Sequence, residues 1–390
     1  MQVAERISHF QESVIRKMTR LAMQYDAINL SQGFPDFDTP LALKEAAAKA
    51  IMDGHNQYSP TWGTAALRGK LAELYTPRLG WEVDPARHVT VACGVTETMN
   101  AAMLAILNPG DEILIIEPAH ENYVPSAIFA GARPVSVPLE PPDYRLDADR
   151  LAAAVTPRTR ALILNTPHNP TGRVFDADEI AGVVDVVVEN DLVLITDEIY
   201  DRILYDGRQH IFPGSLEPLQ ERTITVSGLS KTYAITGWRL GYAIAPEPLT
   251  AALRPVHDFM TVCAPTPLQL AAVTALNFDE SYYDQQVADY HQRRKVMMDV
   301  LEEVGFAAPK PEGSYYILAE YSQVPIPEAQ WDSMRFAEWM VSEIGVAVVP
   351  GSVFYSPPGY GEGSVRFAFP KKLETLRAAG QRMARMRSRS

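Results

Sequence analysis

The stretch that decides the fold is Ser-Gly-Leu-Ser-Lys-Thr-Tyr-Ala-Ile-Thr-Gly-Trp-Arg-Leu-Gly-Tyr, residues 227–242. It follows the apolar run 222–226, which predicts a buried strand. Lys231 therefore stands on a loop of small residues at the end of that strand. This is a poor position for a solvated surface charge and a good one for an amine that forms an imine with an aldehyde.

Arg239 follows Lys231 on the same loop and is a fixed cation that could hold a phosphate group. An aldehyde and a phosphate on one molecule suggest pyridoxal phosphate (PLP), bound to Lys231 as a Schiff base. The alternative is an exposed lysine beside an unrelated arginine, because most lysines in proteins are exposed. The rest of the chain has to decide between the two.

The composition narrows the class of protein. The chain has 390 residues, which favours two domains, and a net charge of −13, which argues against a nucleic-acid or anionic-membrane partner. Its two cysteines, Cys93 and Cys263, form no disulfide framework, so a cytoplasmic location is expected. The histidines have no zinc-binding spacing, and neither a signal peptide nor a run of membrane-spanning length is expected.

The first two thirds of the chain alternate short apolar strands with helices. The predicted strands are 89–92, 112–116, 134–137, 161–164, 192–196 and 223–227, and the predicted helices are 43–53, 64–76, 97–107 and 176–190. The second helix is expected to end at Pro77. Because the strands are continuously apolar rather than alternating, they predict an α/β fold with a mainly parallel sheet sandwiched by helices.

The pattern changes after residue 267 and predicts a smaller α+β domain. It contains a long helical stretch at 268–304, a helix near 332–344, and strands at 314–318, 346–350 and 364–369, with an exposed loop at 320–330. We therefore expect three units. They are an N-terminal arm (1–40) that packs on the small domain, a large PLP-binding domain (41–275) and a small C-terminal domain (276–390).

Polar residues collect where the predicted parallel strands end, which is the edge of such sheets that binds ligands. After 89–92 comes Cys93-Gly94-Val95-Thr96, which opens a helix and could bind an anion. A simple helix cap with Thr96 explains this short run equally well.

Two further strand ends carry candidate ligand-binding side chains. After 161–164 comes Asn165-Thr166-Pro167-His168-Asn169-Pro170-Thr171-Gly172, a stiff turn in which the Asn169 amide can point at a ligand, although a plain turn is the alternative. After 192–196 comes Asp197-Glu198-Ile199-Tyr200. A carboxylate there needs a positive partner such as a pyridinium nitrogen, unless Asp197 only caps a helix.

These three motifs, in this order and spacing, resemble the signatures of class I/II PLP-dependent aminotransferases of fold type I, over essentially the whole chain. The runs Gln32-Gly33-Phe34-Pro35-Asp36-Phe37 and Asn56-Gln57-Tyr58-Ser59-Pro60-Thr61-Trp62-Gly63 are most similar to the branch of kynurenine, glutamine and methionine aminotransferases.

The resemblance implies a role for each candidate residue. Lys231 would carry the cofactor, Asp197 would pair with its pyridine nitrogen, and Tyr200 and Asn169 would bind its ring oxygen. The phosphate would be held by Val95, Thr96, Ser230 and Arg239. Tyr58 would reach it from a partner subunit, so a homodimer is implied. Arg366, Asn169 and the Gly33 backbone would bind the substrate carboxylate, although Arg366 could instead be a surface arginine on an edge strand.

Two positions depart from the pattern of many relatives. His120 stands where they place Phe or Tyr over the ring, and a histidine can both stack and titrate. Gly228 stands where many have a phosphate-binding serine, for which Ser230 could compensate.

The expected activity is transfer of an amino group from an L-amino acid to a 2-oxo acid by a ping-pong mechanism. Phe10, Met18, Met23 and Phe34 would suit an apolar or aromatic side chain, or they belong to the ordinary core. The same cofactor site could instead serve a β-lyase or an amino-acid oxidase or decarboxylase. A PLP-sensing protein without catalysis would need a partner-binding or DNA-binding segment, which the sequence does not offer, and a dinucleotide dehydrogenase would need a fingerprint that 359–363 does not form.

Overall fold

The computed structural model describes residues 4–9 and 12–389, apart from the side chains of residues 5, 9, 388 and 389. The α-helices of this part are α1 Val14–Gln24, α2 Leu41–Met52, α3 Ala65–Leu79, α4 Val95–Ile106, α5 Tyr123–Phe129, α6 Ala148–Ala153, α7 Ala177–Glu189, α8 Glu247–Thr261, α9 Thr266–Ala275, α10 Glu280–Val304, α11 Ser333–Trp339 and α12 Leu373–Met383. The strands are β1 Ile28–Asn29, β2 Val89–Ala92, β3 Glu112–Glu117, β4 Arg133–Pro138, β5 Thr159–Asn165, β6 Val193–Asp197, β7 Thr223–Gly228, β8 Gly241–Ile244, β9 Tyr316–Glu320, β10 Val346–Ala347, β11 Val349–Pro350 and β12 Ser364–Ala368.

The large sheet has seven strands in the order β2-β8-β7-β6-β5-β3-β4. All neighbours are parallel except β8, which runs antiparallel to both β2 and β7. The predicted mainly parallel sheet is therefore confirmed. β8 is an additional strand that the sequence analysis missed, because its first two residues belong to the motif stretch 227–242 and its four residues carry no pattern of their own.

Helices cover both faces of this sheet, as predicted. Ile113 and Ile115 of β3 belong to the apolar cluster that includes Met99 and Met103 of α4. The alternate residue Leu114 belongs to the opposite cluster, with Val183 of α7. Because successive side chains of a strand point to opposite faces, a strand buried on both sides reads as a continuous apolar run.

The C-terminal part forms an antiparallel three-stranded sheet in the order β11-β12-β9. A separate parallel pair joins β1 to β10, with Ile28 opposite Val346. The backbone near residue 30 is thus tied to the C-terminal third of the chain, and Ala368 N also donates a hydrogen bond to Leu30 O at 2.8 Å. These contacts place residues 28–30 beside β10 and β12.

Two predicted helix boundaries are wrong for physical reasons. Helix α3 continues past Pro77 to Leu79 and ends at Gly80, whose left-handed conformation (φ 71°) and N–H bond to Thr76 O close it. Pro77 leaves the carbonyl four residues earlier without its helical hydrogen bond, and this loss is confined to the last turn before Gly80 closes the helix. The stretch 268–304 is two helices, α9 and α10, separated at 276–279 where Asp279 caps α10.

The other two differences lie in the C-terminal part of the chain. The strand predicted at 346–350 splits into β10 and β11, which pair with different sheets. The loop at 320–330 is not simply exposed, since Val324, Ile326 and Ala329 are buried against the core. None of the helices in the described part of the chain has the length and apolar character that crossing a membrane requires.

Candidate active site

The parallel register brings the predicted strand ends together at one edge of the sheet. Asn165, the last residue of β5, lies opposite Asp197, the last residue of β6. Asp197 in turn lies opposite Val226 of β7, whose strand leads into the loop of Lys231. The motifs that carried the resemblance therefore meet in space.

Asp197 is buried and its carboxylate meets only two donors among the described residues. Tyr123 Oη donates to Oδ2 at 2.6 Å, and Ile199 N donates to Oδ1 at 3.3 Å. Burial raises the pKa of Asp197 to about 6, while these two hydrogen bonds act in the opposite direction. No cation of the described chain lies within ion-pairing distance, so the carboxylate has room for a positive group from outside.

The sequence analysis missed Tyr123. It begins α5, in the turn after β3, and burial raises the pKa of its phenol well above the usual value, so it stays a donor. The only signal was its position three residues after His120 at a strand end. Nothing in its immediate sequence indicates which of the neighbouring strands it contacts.

The Lys231 side chain is half-buried and reaches the N-terminal part of the chain. Its Nζ donates to Gly33 O at 3.1 Å and lies 5.9 Å from the centroid of the Tyr315 ring. Burial lowers the pKa of the Lys231 amine, although Tyr316 and Asp197 oppose the shift. A lowered pKa makes a larger share of the amine neutral, which is the nucleophilic form.

Arg366, in the middle of β12, is 1% exposed and makes no ion pair with any carboxylate of the described chain. Its Nη1 donates to Asn169 Oδ1 at 3.0 Å and its Nη2 to Ser31 O at 2.7 Å, while the buried Nε has no partner. The guanidinium lies 4.3 Å from the centroid of the Tyr316 ring. A buried cation without a counter-ion is costly, so this arrangement favours an anion supplied by a ligand.

Asn169 lies beside Arg366 on a turn that is itself anchored to the strand ends. Asn165 Oδ1 accepts from Asn169 N at 2.8 Å, and Asn165 Nδ2 donates to Asp197 O at the same distance. Asn165 therefore connects the Asn169 turn to the Asp197 strand. The sequence analysis predicted no role for it.

Tyr200 and Gly33 both lie against Tyr316 in the active site. Tyr200 Oη donates to Tyr316 Oη at 3.2 Å, and burial raises the pKa of Tyr200 well above its usual value. A Cβ on Gly33 would lie 1.8 Å from the Tyr316 hydroxyl, so only glycine allows the backbone this close. Gly33 N–H has no acceptor among the described residues and remains available to a ligand.

The start of α4 lies against Arg239, where the sequence predicts an anion site. Gly94 precedes α4 with φ 85° and offers no side-chain cap, so the first N–H groups of the helix face outward. A Cβ at Gly94 would lie 2.5 Å from Arg239 Nη2. Arg239 itself adopts the left-handed conformation (φ 54°), which is unusual for an arginine and typical of functional sites.

The other predicted phosphate residues lie around this point with different environments. Val95 and Thr96 form the first turn of α4, and Thr96 Oγ1 accepts from Asn122 Nδ2 at 3.1 Å. Gly228 could not be the serine of other relatives without a shift, because a Cβ there would lie 3.0 Å from Val95 Cγ2 and 2.9 Å from Leu240 O. Ser230 is nearly buried beside Lys231.

His120 lies in the site wall next to Tyr123, with 5.8 Å between the ring centroids. Burial lowers the pKa of His120 to about 3, and the nearby charges of Arg366 and Lys231 act in the same direction. The lowered pKa favours the neutral form of the ring, and titration of His120 during the reaction stays a prediction.

Tyr58 is not brought to the site within its own chain. Its side chain is 80% exposed, on the loop between α2 and α3, and it makes no hydrogen bond to the other candidate residues in the described part. Of the apolar residues considered for the substrate, Met18 is core, Met23 is exposed, and Phe34 packs on Lys371. Phe10 lies outside the described residues.

The residues of this site fit PLP on three counts. The buried carboxylate of Asp197 has no cationic partner among the described residues. Gly94 leaves space in front of Arg239. The pKa of the Lys231 amine is lowered by burial. The described residues contain no group of three or more His, Cys, Asp or Glu side chains that could hold a metal ion. The donor set therefore matches a ring nitrogen, a phosphate and an aldehyde.

Comparison with known proteins identifies the family. The model of "Aminotransferase class I and II" matches residues 25–382. A methionine aminotransferase of Escherichia coli is 36% identical over 96% of this chain and 96% of its own, and human kynurenine–oxoglutarate transaminase 1 is 35% identical over 94% of each. The solved N-succinyldiaminopimelate aminotransferase of Mycobacterium tuberculosis superposes with a TM-score of 0.95 at 37% identity, covering 99% of this chain and 100% of that one.

The chain therefore belongs to the class I and II aminotransferases. It is a PLP-dependent aminotransferase of fold type I, as the sequence motifs predicted.

Proposed function

We propose that this enzyme transfers the amino group of an L-amino acid with an apolar, aromatic, methionine-like or glutamine-like side chain to a 2-oxo acid, in a ping-pong cycle. Arg366 carries this proposal. It is a buried guanidinium without a counter-ion in the described chain, and segment 31–33 connects it to Lys231. A carboxylate bound there would present the neighbouring Cα to the lysine amine.

Each side chain has a separate task in this proposal. Arg366, Asn169 and the free N–H of Gly33 bind the substrate carboxylate. When bound, PLP supplies an aldehyde that condenses with amines and a ring that accepts electrons. Lys231 Nζ takes the proton from the substrate Cα, and burial keeps part of this amine neutral for that purpose.

Two sets of residues hold the cofactor. Asp197 would pair with the pyridine nitrogen, Tyr200 and Asn169 would bind the ring oxygen, and His120 would stack on the ring. The first turn of α4 (Val95 and Thr96) and the side chains of Ser230 and Arg239 hold the phosphate, with Tyr58 of the partner subunit reaching across.

An exposed apolar patch supports the homodimer. Tyr58, Phe259, Met260 and Val262 are all exposed, with Phe259 at 92%. They lie close together, because Thr61 Oγ1 donates to Asp258 Oδ1 at 3.3 Å and Thr266 Oγ1 donates to Gln57 O at 2.7 Å. Large apolar patches of this kind are usually covered by a partner.

The negative charge of Glu121 favours substrates with a neutral side chain. Glu121 Oε1 accepts from Ser13 Oγ at 2.6 Å, and no cation of the described chain pairs with it. Burial lowers the pKa of Arg366, and the charges of Tyr316, Tyr200 and Glu121 oppose that shift. A second carboxylate on the substrate would be repelled by Glu121.

The test is a panel of amino acids added to the PLP-loaded enzyme without an acceptor. The proposal expects stoichiometric loss of the visible absorption of the bound cofactor with methionine, glutamine and aromatic amino acids, and its return on addition of a 2-oxo acid. Release of pyruvate and ammonia would instead indicate a β-lyase, and consumption of oxygen an oxidase. Either result, without amino transfer, would replace the proposal.

The division into an arm (1–40), a large domain (41–275) and a small domain (276–390) stays a prediction, as does a cytoplasmic location. The β1–β10 pairing supports the first, and the two unpaired cysteines support the second. Limited proteolysis and cell fractionation would test them.

A further inference from the structure

A second lysine, Lys371, lies outside the loop of Lys231 and contacts segment 31–36 of the active site. Lys371 follows β12 and is only 2% exposed. Its Nζ donates to Phe34 O at 2.7 Å and lies 3.5 Å from Gln32 O, and it stands 4.2 Å from the centroid of the Phe34 ring. These contacts lie on both sides of Gly33.

Gly33 is the residue of this segment that contacts Lys231. Its carbonyl accepts hydrogen bonds from Lys231 Nζ at 3.1 Å and from Tyr315 Oη at 2.9 Å. Its N–H is free among the described residues, as a carboxylate donor must be. A small rotation of the backbone at this residue would therefore misplace both groups at once.

Within segment 31–36, Phe34 N donates to Gln32 O at 2.9 Å and Gln32 N donates to Asn29 Oδ1 at 3.2 Å, and further contacts hold the two ends. At one end, Ser31 O accepts from Arg366 Nη2. At the other, Asp36 accepts from Lys372 N at 2.5 Å and from Thr375 Oγ1 at 2.6 Å. Among cationic side chains, Lys371 alone in the described chain donates to the carbonyls that flank Gly33.

The burial of Lys371 is costly, which indicates a function beyond packing. Burial lowers its pKa to about 8, and Asp36 is the carboxylate that opposes the shift. The other charged group beside it is Arg293, whose Nε donates to Lys371 O at 2.8 Å. An apolar side chain would fill the same space without the desolvation cost, so the ammonium is retained for its donors.

We propose that Lys371 is a positioning residue, which fixes segment 31–36 so that Gly33 N–H faces the substrate carboxylate while Gly33 O holds the Lys231 amine. The identity of the ligand rests on the proposed function. The contact between Lys371 and the segment does not.

The test compares Lys371→Met with Lys372→Met, an adjacent exposed lysine whose backbone N–H, not its side chain, contacts Asp36. For K371M we expect the KM for amino acids to rise about tenfold, because carboxylate binding is lost, and kcat to fall by about threefold or more, because Gly33 O no longer holds the Lys231 amine in place. Hydrogen exchange on the cofactor-free protein should accelerate in a peptide spanning 29–37 and be unchanged elsewhere. K372M should match the wild type in both measurements.

Two outcomes would overturn the proposal: an unchanged KM together with unchanged exchange at 29–37, or faster exchange throughout the protein with no preference for that peptide. If K371M does not accumulate in folded form, Lys371→Gln, which keeps an N–H donor of shorter reach, is measured against the same criteria. Hydrogen exchange keeps this result separate from the proposed function, whose failure would appear as absence of amino-acid turnover in the wild-type enzyme.

Discussion

Replacement of Tyr123 by phenylalanine tests the environment of Asp197. The substitution removes one hydroxyl, which is the strongest donor to the buried carboxylate at 2.6 Å. The remaining donor, Ile199 N at 3.3 Å, is longer and weaker. The ring of Tyr123 stays in place, so the packing of α5 is preserved.

The expected magnitude follows from the charge on Asp197. A hydrogen bond to a charged group contributes about 1.5–3 kcal/mol. Since burial already raises the pKa of Asp197 to about 6 and this bond lowers it, Y123F should raise the pKa further. Less of the carboxylate is then ionised at neutral pH, and a cationic ring nitrogen loses its partner. At 1.36 kcal/mol per factor of ten, kcat should fall by roughly 10- to 150-fold.

The assay is a pH profile of kcat with a good amino-acid donor, with the dissociation constant of PLP measured in parallel. The loss should be greatest at the acid end, where Asp197 gains its proton, and smaller in alkali. Tyr321→Phe is the matched control, because it removes a buried phenol that donates to Trp331 O at 2.8 Å in the small domain. A Y123F enzyme within twofold of the Y321F control across the whole pH range would refute this account of Asp197.

Three further predictions concern other parts of the site. Arg366→Met should raise the KM for both amino and 2-oxo acids by about 100-fold in steady-state kinetics while the visible absorption of bound PLP persists, and loss of the cofactor would contradict the assignment. Gly94→Ala should weaken PLP binding about tenfold by equilibrium dialysis, because the new methyl displaces Arg239 Nη2, whereas Gly54→Ala, at φ 91° with open space, strains the backbone without that effect. Glu121→Gln should raise kcat/KM for glutamate relative to methionine by about fivefold, and an unchanged ratio would mean that this charge does not select the substrate.

The parts of the site that lie at strand ends could be predicted from the sequence. Lys231, Asp197 and Asn169 each follow a continuous apolar run, and parallel pairing brings such ends together without any further information. The mainly parallel sheet follows from the same runs. These inferences rest on local patterns, which a single sequence displays directly.

The missing parts depend on contacts between distant segments. Tyr123 meets Asp197 across 74 positions and Lys371 meets Phe34 across 337, and neither belongs to a local motif. The neutral state of His120 also depends on burial and on Arg366, which the sequence places far away. At Pro77 a local rule was wrong. It predicted that the helix ends there, whereas α3 continues to Leu79 and is closed by Gly80.

The bond between Arg366 and Ser31 spans 335 positions of the chain. During synthesis, the segment that covers Lys231 therefore emerges early and must wait for nearly the whole polypeptide before its anchor is made. A nascent chain that stops short of β12 could already expose the reactive amine and the cradle beside Arg239. It would lack Arg366, the group proposed to bind the substrate carboxylate, so this contact forms late, when β12 joins segment 31–33.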